Sequence, residues 1–294
     1  MDFTKESMVP PPSPTAQLTP PSRTERRVVG WFVRSTLFRR RKANGWSVPA
    51  HLTHRDLRFE GNSGADLAGR HFPHPKPRGL VVLAHPDRRY GQFWFVKTGW
   101  IEWLHAQGFS ALTFDFTNYG HSRGGSTYLF EDLVAACRLA HTLEPGVPIH
   151  VVGLSMGAFS AANASPELDF VESMVLESPY PSFNSWYEGD GHAVGKAAMR
   201  LFDKTWPRTA ALIQADRRIA ASSARRILVA GSRSDTVTSI GLTRRVAAGA
   251  PTGRSDIFEA DGIAHLELFE RVPAYRDAVL ATLTGDGWPP SAAH

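Results

Sequence analysis

The sequence contains little that could support disulfide, metal or nucleotide chemistry. Its single cysteine, Cys137, excludes an internal disulfide bond. Because Cys137 follows helical spacing with Leu133, Ala136 and Ala140, we interpret it as a buried position on a helix and assign it no chemistry. The chain has no HExxH motif, no pair of CxxC motifs and no glycine-rich phosphate loop. No metal and no cofactor is therefore expected.

The chain also lacks an apolar run long enough to span a bilayer. The best candidate, within residues 26–42, is interrupted by Arg34 and is far shorter than the roughly 20 residues that a membrane-spanning helix needs. No small-residue cleavage site follows a proper apolar stretch, so a signal peptide is not indicated. We expect a cytoplasmic protein, with peripheral membrane contact as an alternative.

Negative charge is scarce in the first 50 residues. They contain nine Lys/Arg and three Asp/Glu, whereas residues 51–294 contain 24 and 25, so the net charge of +5 originates in this N-terminal arm. The nearly neutral remainder has no basic patch with interleaved aromatic residues, and nucleic acid is not expected as a partner. Residues 1 to about 25 are rich in proline, cannot pack a core and are predicted to be disordered.

The second part of the arm, which as a whole spans residues 1–50, combines aromatic and basic residues. Trp31, Phe32, Leu37 and Phe38 lie between two clusters of arginines. Such a segment could rest on an anionic membrane surface. The favoured alternative is an amphipathic helix packed on the body of the protein, or an arm that contacts another subunit. The oligomeric state is not predicted.

From about residue 51 the patterns of strands and helices alternate. Most strand patterns are continuous apolar runs, which are typical of a parallel sheet covered by helices on both faces. We therefore expect an α/β fold with residues 51–294 as one domain. The predicted strands are 79–85, 109–115, 149–152, 171–177, 226–231 and 255–259, preceded by a hairpin of 52–59 and 65–72, and the predicted helices are 93–107, 129–143, 158–164 and 239–248.

One interval is longer than a plain connection between two strands requires. Residues 179–225 hold short helical patterns and many aromatic residues, which favours an inserted lid over about residues 180–224. Trp94, in the helix predicted to begin at residue 93, is a further aromatic residue predicted to contact the substrate. The residues predicted to contact a substrate are Tyr180, Trp186, Phe202, Trp206 and Trp94.

A serine stands between two glycines where a buried strand meets a helix, in the stretch VVGLSMGAFS at residues 151–160. This G-x-S-x-G pattern is typical of a nucleophile elbow, in which Ser155 is held in a strained conformation and Gly153 and Gly157 avoid clashes. Because the pattern alone is short, an ordinary glycine-containing loop is the alternative. If Ser155 is the nucleophile, the backbone N–H of Met156 is expected to stabilise the oxyanion.

Candidates for the groups that activate this serine follow later in the chain. A serine hydroxyl needs a base, and the base needs an orienting carboxylate. Asp235 follows the strand 226–231 and His265 follows the strand 255–259, so both are expected at the carboxyl ends of strands. Each could singly be a surface residue, but the order Ser, Asp, His is that of this architecture. Glu177, at another strand end, is the reserve candidate for the acid.

With these segments the sequence resembles the serine α/β-hydrolases, in particular the serine aminopeptidase S33-type or Bem46-like branch. The resemblance covers roughly residues 55–285 and also depends on the stretch FDFTNYGHSRG at residues 114–124. It implies the α/β-hydrolase fold, a mostly parallel twisted sheet with helices on both faces and a short helical lid. It also implies that Ser155, Asp235 and His265 form a catalytic triad.

Two positions depart from the family's pattern. The family usually has His-Gly where this chain has His85-Pro86, and Thr117 replaces the usual arginine. Proline has no N–H, but the resemblance implies that the second oxyanion donor is the following residue, Asp87. Its acidic side chain would oppose a developing oxyanion unless it points away, for example toward the arginines at positions 88 and 89.

Together these observations predict a serine hydrolase without a cofactor, acting on a carboxylic ester or thioester with a partly apolar acyl group through an acyl-enzyme intermediate. The aromatic lid is the reason for the apolar substrate, because such a site must enclose the acyl chain. The alternatives are a peptidase, lactonase or acyltransferase with the same triad, and a non-catalytic binding protein. The expected partner is the small-molecule ester or thioester.

Overall fold

The computed structural model describes residues 21–36, 47–61, 64–87, 90–124, 128–189 and 193–288. In this part of the chain, one eight-stranded sheet is flanked by helices. The strands are β1 (Arg55–Glu60), β2 (Asp66–Phe72), β3 (Leu80–Ala84), β4 (Ser110–Phe114), β5 (Ile149–Leu154), β6 (Val171–Glu177), β7 (Arg226–Ser232) and β8 (Ser255–Ala260).

The helices precede, separate and follow these strands. They are α1 (Arg23–Thr36), α2 (Trp94–Lys97), α3 (Trp100–Ala106), α4 (Leu129–Leu143), α5 (Met156–Ala164), α6 (Phe183–Gly189), α7 (Ala193–Thr205), α8 (Pro207–Leu212), α9 (Ala215–Arg218), α10 (Ile240–Gly249), α11 (Leu268–Arg271) and α12 (Pro273–Thr284). Short 3₁₀ turns span Gly91–Phe93, Ser165–Glu167 and Ile219–Ala221.

The strand order in the sheet is β1-β2-β4-β3-β5-β6-β7-β8. Strand β2 runs antiparallel to β1 and β4, and the other neighbours are parallel, which confirms the mostly parallel sheet predicted from the sequence. In the register of the sheet, Leu154 lies beside Glu177, and Glu177 lies beside Ala230. The loops that follow β5, β6 and β7 therefore start side by side at one edge.

Apolar layers cover both faces of the sheet. Every residue of β3, β4 and β5 is buried, as expected for strands with helices on both sides. One layer packs α4, α5, α9 and α10 against the sheet, and the other packs α2, α3, α11 and α12. Cys137 is fully buried in the first layer, and burial raises the pKa of its thiol.

The helix predicted over residues 93–107 is interrupted, which corrects the sequence-based prediction. Helix α2 ends at Lys97 and α3 begins at Trp100, because Gly99 between them adopts a left-handed φ of 76°. A residue in that conformation does not continue a right-handed helix, and glycine adopts it without steric cost. The turn of the predicted N-terminal hairpin, Asn62 and Ser63, lies outside the described residues.

Helix α1 packs on the body of the protein. Its residue Val29 is fully buried, and the ring of Phe32 lies 6.1 Å from that of Phe202 and 5.3 Å from that of Trp206, measured between centroids. This arrangement corresponds to the packed amphipathic helix that the sequence analysis favours. The proline-rich residues 1–20 and the aromatic and basic residues 37–42 lie outside the described residues.

Polar contacts also hold α1 to its neighbours. Arg26 forms a salt bridge with Glu131 of α4, and its guanidinium lies 5.2 Å from the centroid of the Tyr128 ring. Thr209 of α8 donates a hydrogen bond to Glu25 with an oxygen–oxygen distance of 3.0 Å. Helix α1 is thus tied to helices that come from two distant parts of the chain.

Helices α6 to α9 fill the interval between β6 and β7, where the sequence predicts an inserted lid. They contribute Met199, Phe202 and Ala210 to the apolar layer that includes α5. No helix among the described residues is long and apolar enough to cross a membrane.

Candidate active site

Ser155 occupies a strained turn between β5 and α5. Its φ is 51° and its ψ is −111°, a conformation that non-glycine residues rarely adopt. Its backbone N–H donates to the carbonyl of Glu177 at 2.8 Å, which holds the turn against the end of β6. The flanking glycines are required by close backbone contacts. A Cβ at Gly153 would lie 2.6 Å from the carbonyl oxygen of Gly157, and one at Gly157 would lie 1.9 Å from that of Ala84.

The structure brings Ser155, His265 and Asp235 together. The distance from His265 Nε2 to Ser155 Oγ is 3.1 Å, and that from His265 Nδ1 to Asp235 Oδ2 is 2.7 Å. An ionised Asp235 can only accept hydrogen bonds, so Nδ1 carries the proton and Nε2 is free to accept the Ser155 O–H. The side chains of His265 and Asp235 are 6% and 1% exposed. This geometry can remove a proton from the serine hydroxyl.

Several donors surround the Asp235 carboxylate. Oδ1 accepts the backbone N–H groups of Val237 and Thr238 at 2.8 and 2.9 Å, and Oδ2 also accepts the Ser178 hydroxyl at 3.1 Å. Burial alone would raise the pKa of Asp235, but the hydrogen bond and charge of His265 and these backbone donors outweigh it and lower the pKa. The carboxylate is therefore held in its ionised form beside the imidazole.

Ser178 is a contact that sequence reasoning missed. It directly follows β6, has a left-handed φ of 52° and is buried. Its N–H donates to the carbonyl of Ala230 at 2.7 Å, so the backbone at this position is fixed by β7. The available signal was a small polar residue immediately after a buried strand at the edge where Ser155 and Asp235 lie.

Glu177, the reserve candidate for the acid, is not the partner of His265 Nδ1. It is fully buried, and burial raises its pKa from 4.5 to about 8, although polar groups of Tyr275 and Leu268 oppose this shift. The negative charge of Asp235 nearby also raises the pKa. At neutral pH the two neighbouring carboxyl groups therefore differ in charge, with Asp235 ionised and Glu177 protonated.

The loop after β3 lies against the first turn of α5. Tyr119 joins the two predicted oxyanion residues, since its hydroxyl donates to Asp87 Oδ1 at 2.7 Å and lies 3.3 Å from Met156 Sδ. The carboxylate of Asp87 thus contacts Tyr119, whereas the expected contact with the arginines at 88 and 89 lies outside the described residues. The structure places Asp87 and Met156 close together, and their function as oxyanion donors remains a prediction.

Buried polar residues fix this loop. His85 Nε2 accepts the N–H of Phe116 at 3.1 Å and its Nδ1 donates to the carbonyl of Pro86 at 2.8 Å, which defines a neutral imidazole. Burial lowers the pKa of His85, in agreement with that state. At Thr117, where the family usually has arginine, the backbone N–H donates to Asp132 at 2.7 Å.

Asp115 anchors two further loops, in line with a structural function. Its carboxylate accepts the N–H and the side-chain amide of Gln92 at 2.9 and 3.0 Å, and the N–H of His121 at 3.0 Å. A Cβ at Gly91 or Gly120 would approach the Asp115 carboxylate to within 2.3 and 2.1 Å. Both turns therefore require glycine.

The predicted substrate-contacting aromatics fall into separate groups. Tyr180 is buried and stacks on Phe159 of α5 with a centroid distance of 4.7 Å. Burial, followed by the charge of Asp87, raises the pKa of Tyr180 well above its ordinary value, which places Tyr180 near the loop after β3. Phe202 and Trp206 instead pack on helix α1.

The two other predicted residues are less informative. Trp94 is half-buried in α2, with its ring 6.1 Å from that of Tyr90 and 5.6 Å from the ammonium of Lys97. The side chain of Trp186, on α6, lies outside the described residues. No group of three or more His, Cys, Asp or Glu residues that could hold a metal occurs in the described ranges.

Comparisons with known proteins identify the fold and the family of the chain. A sequence model of the family described as Serine aminopeptidase, S33 matches residues 75–230, which is more than half of the chain. The α/β-hydrolase fold predicted from the sequence is confirmed. The matched range includes Ser155 and ends before Asp235 and His265. No curated protein matches the chain.

Solved structures from several organisms share the fold. The Pyrococcus furiosus esterase Pf2001 is 19% identical, with 84% of this chain and 95% of that chain covered at a TM-score of 0.65. The α/β hydrolase GrgF from Penicillium sp. sh18 is 14% identical, with 80% and 99% covered and a TM-score of 0.63. The esterase domain of a Rhodothermus marinus protein is 19% identical, with 80% and 97% covered and a TM-score of 0.55.

Proposed function

The chain belongs to the serine aminopeptidase S33 family, and from this premise we propose that it is a serine hydrolase of the Bem46-like branch that cleaves a carboxylic ester or thioester. The observation that carries the proposal is the chain of hydrogen bonds from Ser155 through His265 to Asp235. The names of two structural neighbours, both esterases, favour an ester over a peptide as the substrate.

In the proposed reaction, Ser155 Oγ attacks the acyl carbon while His265 Nε2 takes the hydroxyl proton. Asp235 keeps the imidazole in the required tautomer and stabilises its cationic form. The bond to the leaving alcohol or thiol breaks as His265 returns the proton to it. Water activated by His265 then attacks the acyl-enzyme, which releases the acid and restores the serine.

The oxyanion of each tetrahedral intermediate is proposed to bind the N–H groups of Met156 and Asp87. The Asp87 carboxylate accepts a hydrogen bond from Tyr119, which partly offsets its opposition to the developing oxyanion. The hole also needs the loop after β3 to stay in place. The neutral His85, bonded to Pro86 and Phe116, supplies that rigidity.

An apolar acyl group fits the aromatic residues near the elbow. Phe159 lies one turn after Ser155 and stacks with Tyr180, and the Phe183 ring lies 4.9 Å from that of Phe159. A small apolar cavity of about 30 Å³ is lined by Phe159, Phe183 and Val29 of α1, among others. In this proposal helices α6 to α9 act as the lid that encloses the acyl chain.

The test is a panel of p-nitrophenyl esters and acyl thioesters of graded chain length. We expect turnover of at least one ester class, and a fall of several orders of magnitude in kcat for Ser155→Ala, because the three residues act as a unit. The matched control is Ser160→Ala, a buried serine of α5 whose hydroxyl donates to the Met156 carbonyl at 2.8 Å. More than a few per cent of wild-type turnover in Ser155→Ala would refute the proposal.

A further inference from the structure

The outer side of α1 exposes apolar residues. Val29 and Phe32 face the body, whereas Val28 and Trp31 are 47% and 67% exposed. Thr24, Val28 and Trp31 are spaced by four and three residues, so they lie along one side of the helix. Each of these residues directly precedes a residue that contacts the protein, so the exposed side lies about 100° around the helix from Glu25, Val29 and Phe32. The helix therefore has one apolar side for the core and a second for the surface.

Helix α7 adds a neighbouring exposed side. Leu201 is 65% exposed, and Lys204 and Thr205 follow it at helical spacing. An open groove of about 330 Å³ lies between α1 and the junction of α7 with α8. It is lined on one side by Thr24, Glu25 and Val28 and on the other by residues 205–208. We call this surface, with Val28, Trp31 and Leu201 as its apolar part, the α1–α7 face.

Cations surround these apolar side chains. The exposed basic residues on and beside the α1–α7 face are Arg23, Arg27, Arg200, Lys204 and Arg208. Within the described part of the chain, none of the five forms an ion pair. The nearby acidic residues are engaged or sheltered, since Glu25 accepts the Thr209 hydroxyl and Asp203 is half-buried.

We propose that the α1–α7 face binds the surface of an anionic lipid bilayer. Exposed cations around a few large apolar side chains fit such a surface, where headgroup charge attracts the cations and the apolar groups insert to shallow depth. A tryptophan suits this position because its ring is apolar and its N–H is polar. Tryptophan and arginine are also enriched in protein interfaces, so the experiment must separate binding to lipid from binding to a second protein copy.

The consequence concerns the location of the proposed lid. Helix α7 belongs to the insertion between β6 and β7, so binding through this face would place that insertion against the bilayer. A substrate dissolved in the bilayer would then reach the protein on the side of the insertion. The binding itself does not depend on the proposed function, because it is measured on the protein without any substrate.

The experiment is co-sedimentation of the full-length chain with vesicles of phosphatidylcholine containing about 30% phosphatidylglycerol, compared with pure phosphatidylcholine. We expect binding to the anionic vesicles only, and a decrease as NaCl rises from about 0.05 M to about 0.5 M, since salt screens exposed charges. Turnover of a soluble short-chain ester is measured in parallel, so that loss of catalysis and loss of binding are distinguished.

Two variants test the surface itself. The first is the triple variant Arg27→Gln, Lys204→Gln, Arg208→Gln. Each lost charge should lower the partition coefficient onto the anionic vesicles about five-fold. The second is the double variant Trp31→Ser, Leu201→Ser, whose partition coefficient should fall at least about ten-fold. The matched control is the triple variant Arg55→Gln, Lys76→Gln, Arg123→Gln, which removes the same charge from exposed residues away from the groove. Its partition coefficient should fall much less.

Three outcomes would overturn the proposal. The first is absence of binding of the wild-type chain to anionic vesicles at low salt. The second is an equal loss of binding in the control and in the charge variant of the face. The third is a self-association, seen by light scattering, that the Trp31 and Leu201 substitutions abolish while vesicle binding is unchanged, since the occupant would then be a second copy. Melting temperatures verify that all variants are folded.

Discussion

Two carboxyl groups at the ends of adjacent strands have opposite pKa shifts. The loop after β7 surrounds Asp235 with hydrogen-bond donors and lowers its pKa, whereas burial at the end of β6 raises the pKa of Glu177 to about 8. The difference comes from the deeper burial of Glu177 and from the imidazole and backbone donors that surround Asp235. Because of these opposite shifts, the acid that contacts His265 is charged and its neighbour Glu177 is neutral.

Activity should therefore depend on one acid far more than on the other. We expect Asp235→Asn to lower kcat by a factor of roughly 10⁴, because an amide at this position favours the wrong imidazole tautomer. Glu177→Gln should retain most of the turnover, since it replaces a neutral acid by a neutral amide of similar shape. Steady-state kinetics on one ester measures both, and the reverse ranking would show that Glu177 is the acid.

Glu177 should also affect stability in a pH-dependent way. Its pKa is raised on folding, so the folded protein holds a proton that the unfolded chain releases above about pH 4.5, and stability is lost as the pH rises from there to about 8. Glu177→Gln removes this loss. The difference in free energy of unfolding between the variant and the wild type should therefore increase, in favour of the variant, as the pH rises over that range. At about 1.4 kcal/mol per pKa unit, the increase is up to ~5 kcal/mol. Urea titrations at several pH values test this, and a constant difference would contradict it.

At the scale of elements, α1 and the insertion between β6 and β7 form one packed unit. The rings of Phe32, Phe202 and Trp206 are in mutual contact, with centroid distances of 5.1 to 6.1 Å. Two residues predicted from the sequence to contact the substrate thus contact the N-terminal helix. Aromatic pairs of this kind contribute about 0.5–1.5 kcal/mol beyond their burial.

A double-mutant cycle measures that contact. Phe32→Ala and Trp206→Ala should each lower the free energy of unfolding, and the double variant should lose less than the sum by about 0.5–1.5 kcal/mol. Phe32→Ala combined with Trp94→Ala, a tryptophan on the other face of the sheet, is the control and should be additive. A coupling energy of zero between Phe32 and Trp206 would show that α1 does not dock as described.

The elements themselves were predictable to different degrees. Strands β3 and β5 are recognisable because continuous apolar runs are typical of strands buried on both faces. The interruption of the helix at Gly99 could not be predicted, because the sequence pattern does not indicate which φ a glycine within it adopts. The docking of Phe32 on Trp206 joins residues far apart in the chain, which no local pattern can indicate.

At the scale of the whole molecule, the N-terminal helix completes the core. Val29 is fully buried, and together with residues of α4, α5 and α8 it lines the small apolar cavity beside Phe159. Deletion of residues 1–50 should therefore lower the free energy of unfolding by at least ~1.5 kcal/mol, because burial of one valine contributes about 1.5–3 kcal/mol. Chemical denaturation compares the truncated and full-length chains, and equal stabilities would mean that α1 is dispensable to the fold.

The arrangement of the candidate site followed from order along the chain and from sheet geometry. Strands that run parallel place their carboxyl ends at one edge, so Ser155, Asp235 and His265 could be expected to meet there before any distance was known. The contacts of Ser178 with Asp235 and of Tyr119 with Asp87 could not be predicted. They depend on the register between strands and on loop conformations that the sequence does not specify.

The central claim is that Ser155 is an activated nucleophile, and covalent labelling tests it most directly. A fluorophosphonate probe reacts with a serine hydroxyl only when a base removes its proton. We predict that the probe labels the wild-type chain at Ser155, identified by peptide mass spectrometry, and that Ser155→Ala and His265→Ala are not labelled while Ser160→Ala is. Absence of labelling in the folded wild-type chain, or labelling at another serine, would contradict the account.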